Sequence, residues 1–359
     1  MKRIFTYLAV AAVALLCVGT LSAQISKTKA PVRQGWPSSI EITTIAGVPL
    51  TIECDPLYGD VESIEEFCYE SSSIAEDGSI LSDAMPSSRN VYRFNDRGDV
   101  VEMIEYYGSN IDKSIVYEYN NLGLLISKIE YNPEYTECGC VVVNTYKYNA
   151  KSQLVSNTEQ YIKSDDETSL SETIYEYDDA GNLVISKKIS DDFFSLIAYT
   201  YDSANRLTEE CEYYSEDCLY PFTSTYYTYD KMGRVTGCNE VAITSPACYN
   251  LMYTYDAHGR LDAIVDSSID SQERMVYNSA GMLCGYKVVC PDGTCSSKRV
   301  YTIDDNGLVT ELELIENQAL RICYSHDSRG NIVKISVSNM YVDNSDHICT
   351  YIRNITYRK

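Results

Sequence analysis

The sequence predicts an all-β protein: tandem β-hairpin repeats forming one continuous curling antiparallel sheet. Three observations predict it. The aromatic residues are 33 Tyr, 6 Phe and 1 Trp, a bias expected of a repeated unit. One nine-residue pattern recurs with an average period of about 26 residues. Within it, the residues alternate as a strand, a tight turn and the start of a return strand would.

The pattern reads aromatic, any, aromatic, Asp or Asn, two variable residues, Gly, any, aliphatic. Copies begin at Tyr92, Tyr117, Tyr146, Tyr175, Tyr199, Tyr227, Tyr253, Met275, Tyr301 and Tyr324. Aromatics at positions one and three share one face of a strand, and the residue between them, such as Glu118, Glu176 or Thr254, points the other way. One face is aromatic and the other wet. Asp or Asn at position four accepts a hydrogen bond from the backbone two residues on, and Gly at position seven tolerates positive φ. Asn205 and Ser152 replace that Gly in two copies; Asn accepts the conformation, whereas Ser152 should be strained. The aliphatic at position nine, from Val100 to Ile332, opens the return strand. The unit is a hairpin. The period is too short for a four-stranded propeller blade, the Leu-x-x-Leu-x-Leu signature is absent, and a parallel β-helix would not reverse at every Asp-x-x-Gly.

Tyr227 to Arg234 and Tyr253 to Arg260, both Tyr-Thr-Tyr-Asp-x-x-Gly-Arg, resemble the YD repeat of Rhs-type proteins, and the resemblance spans about residues 92–340. It implies a sheet that spirals into a shell, closed or open, which in large members surrounds a cargo such as a toxic C-terminal domain. After Ile332 only 27 residues follow, so the expectation is a short, secreted member with no toxin domain.

The flanking segments follow from composition. Lys2 and Arg3, the apolar run Leu8 to Val18 and the exit Leu21-Ser22-Ala23 read as a signal peptide over 1–23. Lipidation at Cys17 is disfavoured by Leu16 before it. Residues 24–91 form an irregular N-terminal cap in which Gly59-Asp60-Val61 echoes Gly98-Asp99-Val100. Residues 92–340 hold about ten repeats, and 341–359 a C-terminal capping strand through Tyr351 to Tyr357. No other long apolar run exists, so no transmembrane segment is expected; the chain would be periplasmic, on the outer surface or extracellular. Of the 14 Cys, those after the signal would meet an oxidising compartment, where bridges are the default. Short loops point to Cys211 with Cys218, Cys238 with Cys248, and Cys290 with Cys295.

A formal charge of −23 excludes a nucleic-acid partner, which needs a basic surface, and favours a cationic protein or a glycan. Three His leave little acid–base or metal chemistry. A Cys323 or Cys349 nucleophile beside a His is outweighed by the disulfide reading. No phosphate-binding loop, dinucleotide motif, calcium loop or nucleophile elbow occurs. No catalytic, cofactor-binding or metal residue is assigned, and no cofactor is implied. Arg206, Arg234 and Arg260 follow the turn glycine position and would form a basic row if repeats stack. The binding candidates are tyrosines outside the motif, Tyr213, Tyr214 and Tyr220, suited to stacking on sugars. The reading is an exported, noncatalytic interaction module. An accessory of an Rhs-type toxin shell and an enzyme with its site in the N-terminal part stay open as alternatives.

Overall fold

The computed structural model describes residues 39–43, 49–53, 57–133, 140–163, 168–243, 250–267, 271–304, 308–314, 319–340 and 347–358. The signal segment 1–23, Cys17 and Cys248 lie outside them. Strands β1 (Ser39–Thr43) and β2 (Pro49–Glu53) form a separate antiparallel pair. β3 (Val61–Glu70) then leads into ten hairpins. These are β4 (Ser88–Phe94) with β5 (Val100–Tyr107), β6 (Asn110–Tyr119) with β7 (Leu125–Asn132), and β8 (Cys140–Tyr148) with β9 (Leu154–Lys163). Next come β10 (Thr168–Tyr177) with β11 (Leu183–Ser190), β12 (Phe193–Tyr201) with β13 (Leu207–Tyr213), and β14 (Thr223–Tyr229) with β15 (Val235–Ala242). The last four are β16 (Asn250–Tyr255) with β17 (Leu261–Asp266), β18 (Ser271–Tyr277) with β19 (Leu283–Val289), β20 (Cys295–Ile303) with β21 (Val309–Leu314), and β22 (Ala319–His326) with β23 (Ile332–Asn339). β24 (His347–Tyr357) pairs with both β23 and β3, so β3 to β24 close into one antiparallel barrel of 22 strands. The all-β hairpin architecture is the predicted one, and the curl runs to full closure.

Each turn is built as the motif requires. In the copy at Tyr253, Asp256 Oδ1 accepts from the backbone N–H of His258 and of Arg260, both at 2.9 Å. The Asp256 N–H donates to the Arg260 carbonyl at 2.8 Å and the Gly259 N–H to the Asp256 carbonyl at 2.9 Å. The ladder slips at Thr254/Tyr255, the bulge that lets a type I turn follow the twist of its strands. Gly259 has φ 81, and the substitutes Ser152 and Asn205 take φ 63 and 58. Ser152 therefore carries left-handed strain of about 1 kcal/mol.

Two kinds of interlock tie neighbouring repeats together. The second aromatic of a motif donates its phenol O–H to the carbonyl of the preceding repeat's ninth residue: Tyr119 to Val100, Tyr148 to Leu125 and Tyr177 to Leu154, all at 2.8 Å, and Tyr255 to Val235 at 2.7 Å. The arginine after the turn glycine reaches back to its own Asp and forward to the next tyrosine. Arg234 Nη2 lies 2.6 Å from the Asp230 carboxylate, and its guanidinium sits 4.3 Å from the Tyr255 ring centroid. Arg206 and Arg260 repeat this over Tyr229 and Tyr277. The anticipated arginine row therefore exists, but its charge is consumed within it.

The apolar core is three local clusters, centred on Leu312, Ile322, Ile335 and Val337; on Val61, Ile64, Tyr92 and Val100; and on Cys238, Leu251 and Ile264. All belong to the face bearing the motif tyrosines, which is the inner face, since a closed sheet keeps its core inside. Strands pack substantially only on their ladder neighbours. Among the described residues no element crosses the interior. Twenty-two strands at ~4.8 Å spacing and ~40° tilt give a ring roughly 40 Å across.

The predicted bridges are not made where the structure can test them. Cys211 and Cys218 are free thiols. Cys211 lies inside β13, held by the ladder to Ser224, whose Oγ is 3.4 Å from its Sγ, while Cys218 is exposed in the following loop. Cys290 is also free. It heads a tight four-residue turn in which its N–H donates to Thr294 at 2.9 Å, and Cys295 begins the next strand. Cys238 is free and buried; its predicted partner Cys248 is outside the described residues. Sequence proximity suggested these pairs; in the structure Cys211 is committed to the ladder of β13 beside Ser224 and Cys290 to a turn.

Candidate ligand-binding lumen

The ladder register sorts the inner face into levels. One level holds the first motif aromatics, among them Tyr117, Tyr146, Tyr175, Tyr199, Tyr227 and Tyr253. Burial raises the phenol of Tyr199 to about 12, with Glu210 adding to the rise. It also raises Tyr117 and Tyr146. These phenols are neutral hydrogen-bonding groups on an apolar wall.

The next level, two residues further from the turns, is acidic. Asn90 pairs with Glu105, Ile115 with Glu130, Asn144 with Glu159, Ile197 with Glu212, Thr225 with Glu240, and Leu251 with Asp266. Every one of these acids stands five residues after the ninth motif position, and Glu66 stands five after Val61. Lys188 interrupts the series, and Val288 and Val337 replace it further round. The lumen therefore has an acidic arc on the β3 to β17 side, in which Glu66 is paired with Arg353 and Glu130 with Lys128 and Lys113, and an apolar arc beyond it. Burial raises Glu210, with Glu212 and Glu240 adding repulsion, and burial alone raises Glu273 on β18. Burial also acts on Glu130, but bonds from Asn132 and Lys128 outweigh it and hold that carboxyl below its ordinary range.

Sequence reasoning missed this arc because it stopped at the ninth position of the repeat; the signal was an acid at position fourteen. The residues it did select lie elsewhere. Tyr213 ends β13 opposite Leu196 on the outer face. Tyr214 and Tyr220 lie in the loop that follows, where Tyr214 packs edge-on against Phe222 with centroids 5.0 Å apart. The thiols are poor nucleophiles: burial pushes Cys238 up to about 11, helped by Glu240 and Glu210, and Cys349 to about 12, helped by Cys68. Among the described residues no group of His, Cys, Asp and Glu is placed to hold a metal. No helix there is long and apolar enough to cross a membrane. The outer face carries ion pairs along its strands, such as Arg89 with Glu65, Arg274 with Asp262 and Arg321 with Glu311.

The geometry defines a closed repeat shell, a barrel whose wall is a tyrosine-and-aspartate hairpin repeated round a ring. The teneurin YD-shell family matches residues 37–261, and the chain belongs to that family. No curated protein matches the chain. Similar solved structures include the Photorhabdus luminescens Tc holotoxin pore, at 14% identity and TM-score 0.34, over 85% of this chain and 18% of that one. The TcdB2–TccC3–Cdc42 complex is similar at 12% identity and TM-score 0.22, over 79% and 21%. A porin-like protein from Bacteroides uniformis is similar at 12% identity and TM-score 0.27, over 82% and 98%. The chain spans about a fifth of the two toxin chains. With scores this low, none of the three adds to the family assignment.

Proposed function

We propose that the protein is an exported, noncatalytic shell that holds a cationic polypeptide in its lumen. The observation that carries this reading is the closure of the sheet into one ring of 22 strands, which gives it an enclosed inner face with an acidic arc. The acidic arc sets the sign of the guest, and the tyrosine level supplies faces for cation–π and stacking contacts with Lys and Arg side chains. The apolar run Leu8 to Val18 behind Lys2 and Arg3 supports export.

Poly-lysine tests it by titration calorimetry. Binding should be strong at low salt and fall steeply as the Debye length shrinks from about 10 Å at 0.1 M to about 3 Å at 1 M. Glu212→Gln with Glu240→Gln should weaken it about tenfold, because both charges face the interior. Binding that ignores this pair but follows the outer-face acids Glu311 and Glu313 would show surface adhesion and end the reading. A second reading, favoured by the Tyr214–Phe222 ring pair beside exposed Tyr220, is glycan stacking on the outer loops. Salt separates the two, since stacking on a neutral sugar hardly responds to ionic strength.

A further inference from the structure

Exposed apolar side chains are scattered over most of the wall, but one corner collects them. It lies at the ends of β13, β14 and β15 away from the Asp-x-x-Gly turns. Leu219 is 90% exposed there, Tyr220 73% and Ile243 66%, and Tyr214, Phe222 and Val241 are exposed beside them. The fold makes these residues neighbours. Leu219 and Tyr220 ride on the loop between β13 and β14, and Tyr214 meets Phe222 edge-on at 5.0 Å. The Ile243 N–H donates to the Phe222 carbonyl at 3.0 Å, and Val241 stands opposite Ser224 on the next strand. Single exposed apolar residues need no explanation, but six sharing one corner mark an interaction surface. Its border is acidic. Glu216 and Asp217 sit in the same loop, Asp191 and Asp192 form the turn between β11 and β12 beside it, and all four are exposed. Lys187 also reaches this corner, but it is ion-paired with Glu216 and lies 5.3 Å from the Phe194 ring centroid. It offsets Glu216 alone, and the three aspartates keep the border negative.

We infer that this corner docks a basic amphipathic segment of another protein, its apolar side chains covering Leu219, Tyr220 and Phe222 and its Lys or Arg side chains meeting the aspartates. An apolar centre inside a polar border is the anatomy of a protein-binding patch, and the sign of the border selects a cationic partner. The same sign opposes a second copy of this chain, whose net charge is −23, and an anionic bilayer. A glycan suits the patch less well. Leu219, Val241 and Ile243 offer no ring face, so a sugar stacked on the tyrosines would leave half of the apolar surface uncovered. The corner is outside the lumen, and the inference does not rest on the lumen guest.

Titration calorimetry of the full chain with a peptide of about 18 residues, Leu and Lys placed so that a helix has one apolar and one basic face, tests this. Binding is expected, weakening as NaCl rises from about 0.05 to about 0.5 M. Leu219→Ser with Tyr220→Ser should weaken it about tenfold or more, and Asp191→Asn with Asp192→Asn and Asp217→Asn should weaken it and flatten its salt dependence. Met232→Ser, at an exposed residue among the Asp-x-x-Gly turns, should leave it unchanged. Circular dichroism reports the fold, and Leu219→Ser alone replaces the double variant if that variant does not fold. The same peptide with Glu in place of Lys should bind about tenfold more weakly or worse. Equal binding of the two peptides, or binding indifferent to Leu219 and Tyr220, would overturn the proposal. So would capture by neutral phosphatidylcholine vesicles or a neutral oligosaccharide that needs these two residues while the Leu/Lys peptide does not bind. Poly-lysine, which has no apolar face, keeps the lumen reading separate: its binding should follow Glu240→Gln and ignore Leu219→Ser with Tyr220→Ser. A Leu/Lys peptide that follows only Glu240→Gln would sit in the lumen and end the present inference alone.

Discussion

The hairpin at Tyr253 to Leu261 and the hairpin formed by β24 and β3 have the same geometry and different covalent structure. In the first, chain runs continuously through Asp256 and Gly259. In the second, Ile355-Thr356-Tyr357 comes from the C-terminal strand and Gly59-Asp60-Val61 from the N-terminal one. Tyr357 still pairs with Val61 across a slip at Thr356/Tyr357, as Tyr255 pairs with Leu261. The Arg358 N–H donates to the Asp60 carbonyl at 3.0 Å, as Asp256 does to Arg260. Gly59 has φ 84, and Arg329 lies 4.0 Å from the Tyr357 ring centroid, a cation–π contact like those of the covalent repeats but made from the position before the turn glycine. The repeat is thus a spatial unit that does not need a continuous chain.

What replaces the missing link is polar. Arg353 Nε donates to Glu66 Oε2 at 2.7 Å with both side chains buried, 2% and 8% exposed, a degree of burial that the other ion pairs of the described residues do not reach. Such a pair adds little net stability over an apolar one, but it punishes mispairing, so it fixes the register of the closing ladder. Asn331 adds a second tie, donating to the Tyr58 carbonyl at 3.0 Å and accepting the Tyr58 N–H at 2.5 Å.

The largest difference between seam and covalent hairpins should appear on Arg353→Ala. It leaves Glu66 buried without its cation, at a cost of about 3–5 kcal/mol, measured by urea unfolding. Arg260→Ala, which unties a half-exposed pair in a covalent turn, should cost far less; equal costs would show that the seam ion pair has no special role.

Glycine comes next. At Gly233 a side chain would meet nothing nearer than Arg206 Nη1 at 4.0 Å, so Gly233→Val should cost about 1–3 kcal/mol through positive φ alone. At Gly59 the new Cβ would also press on Arg329 Nη1 at 2.6 Å and on the Tyr357 ring at 3.3 Å. Gly59→Val should therefore cost more, and thermal melts that rank them the other way would undo the equivalence of the two turns. Smaller still is Tyr255→Phe. It removes one phenol bond to Val235 and should cost about 0.5–1.5 kcal/mol, lowering the melting temperature without changing the circular dichroism.

These comparisons also show what the sequence could and could not disclose. The nine-residue motif was legible because every position has a local task, down to the left-handed Ser152 and Asn205. Closure was not, although both halves of the eleventh hairpin were noticed as separate end features, Gly59-Asp60-Val61 as a decayed repeat and Tyr351 to Tyr357 as a cap. Only pairing at long range makes them one unit. The acidic arc was present as a periodic acid five residues past each aliphatic, but its meaning depends on which face of a closed sheet is inside. Cys211 and Cys218 show the converse: near in sequence, they stand one in the ladder of β13 and one in the exposed loop after it, both as free thiols.

The smallest expected effect is a pH response at the seam. Asp327 is partly desolvated, which opposes ionisation, but bonds from Tyr357 and from the backbone of Asn331 and Arg329 outweigh this and hold its carboxyl down to about 2. A folded-state value below the unfolded one, about 3.9, means that the unfolded chain takes up the proton first. The stabilisation is then complete above about pH 4 and is lost as pH falls toward about 2. Asp202, Asp230 and Asp256 are lowered too, their own turn bonds outweighing desolvation, so acid weakens those turns as well. The seam contribution is isolated by difference: Asp327→Asn should shallow the fall in urea midpoint between about pH 4 and 2, and Asp256→Asn should do so less, because Asp327 also bonds Tyr357, the residue that pairs with Val61 in the closing ladder. An identical slope for wild type and Asp327→Asn would show that this carboxylate does not hold the ring shut.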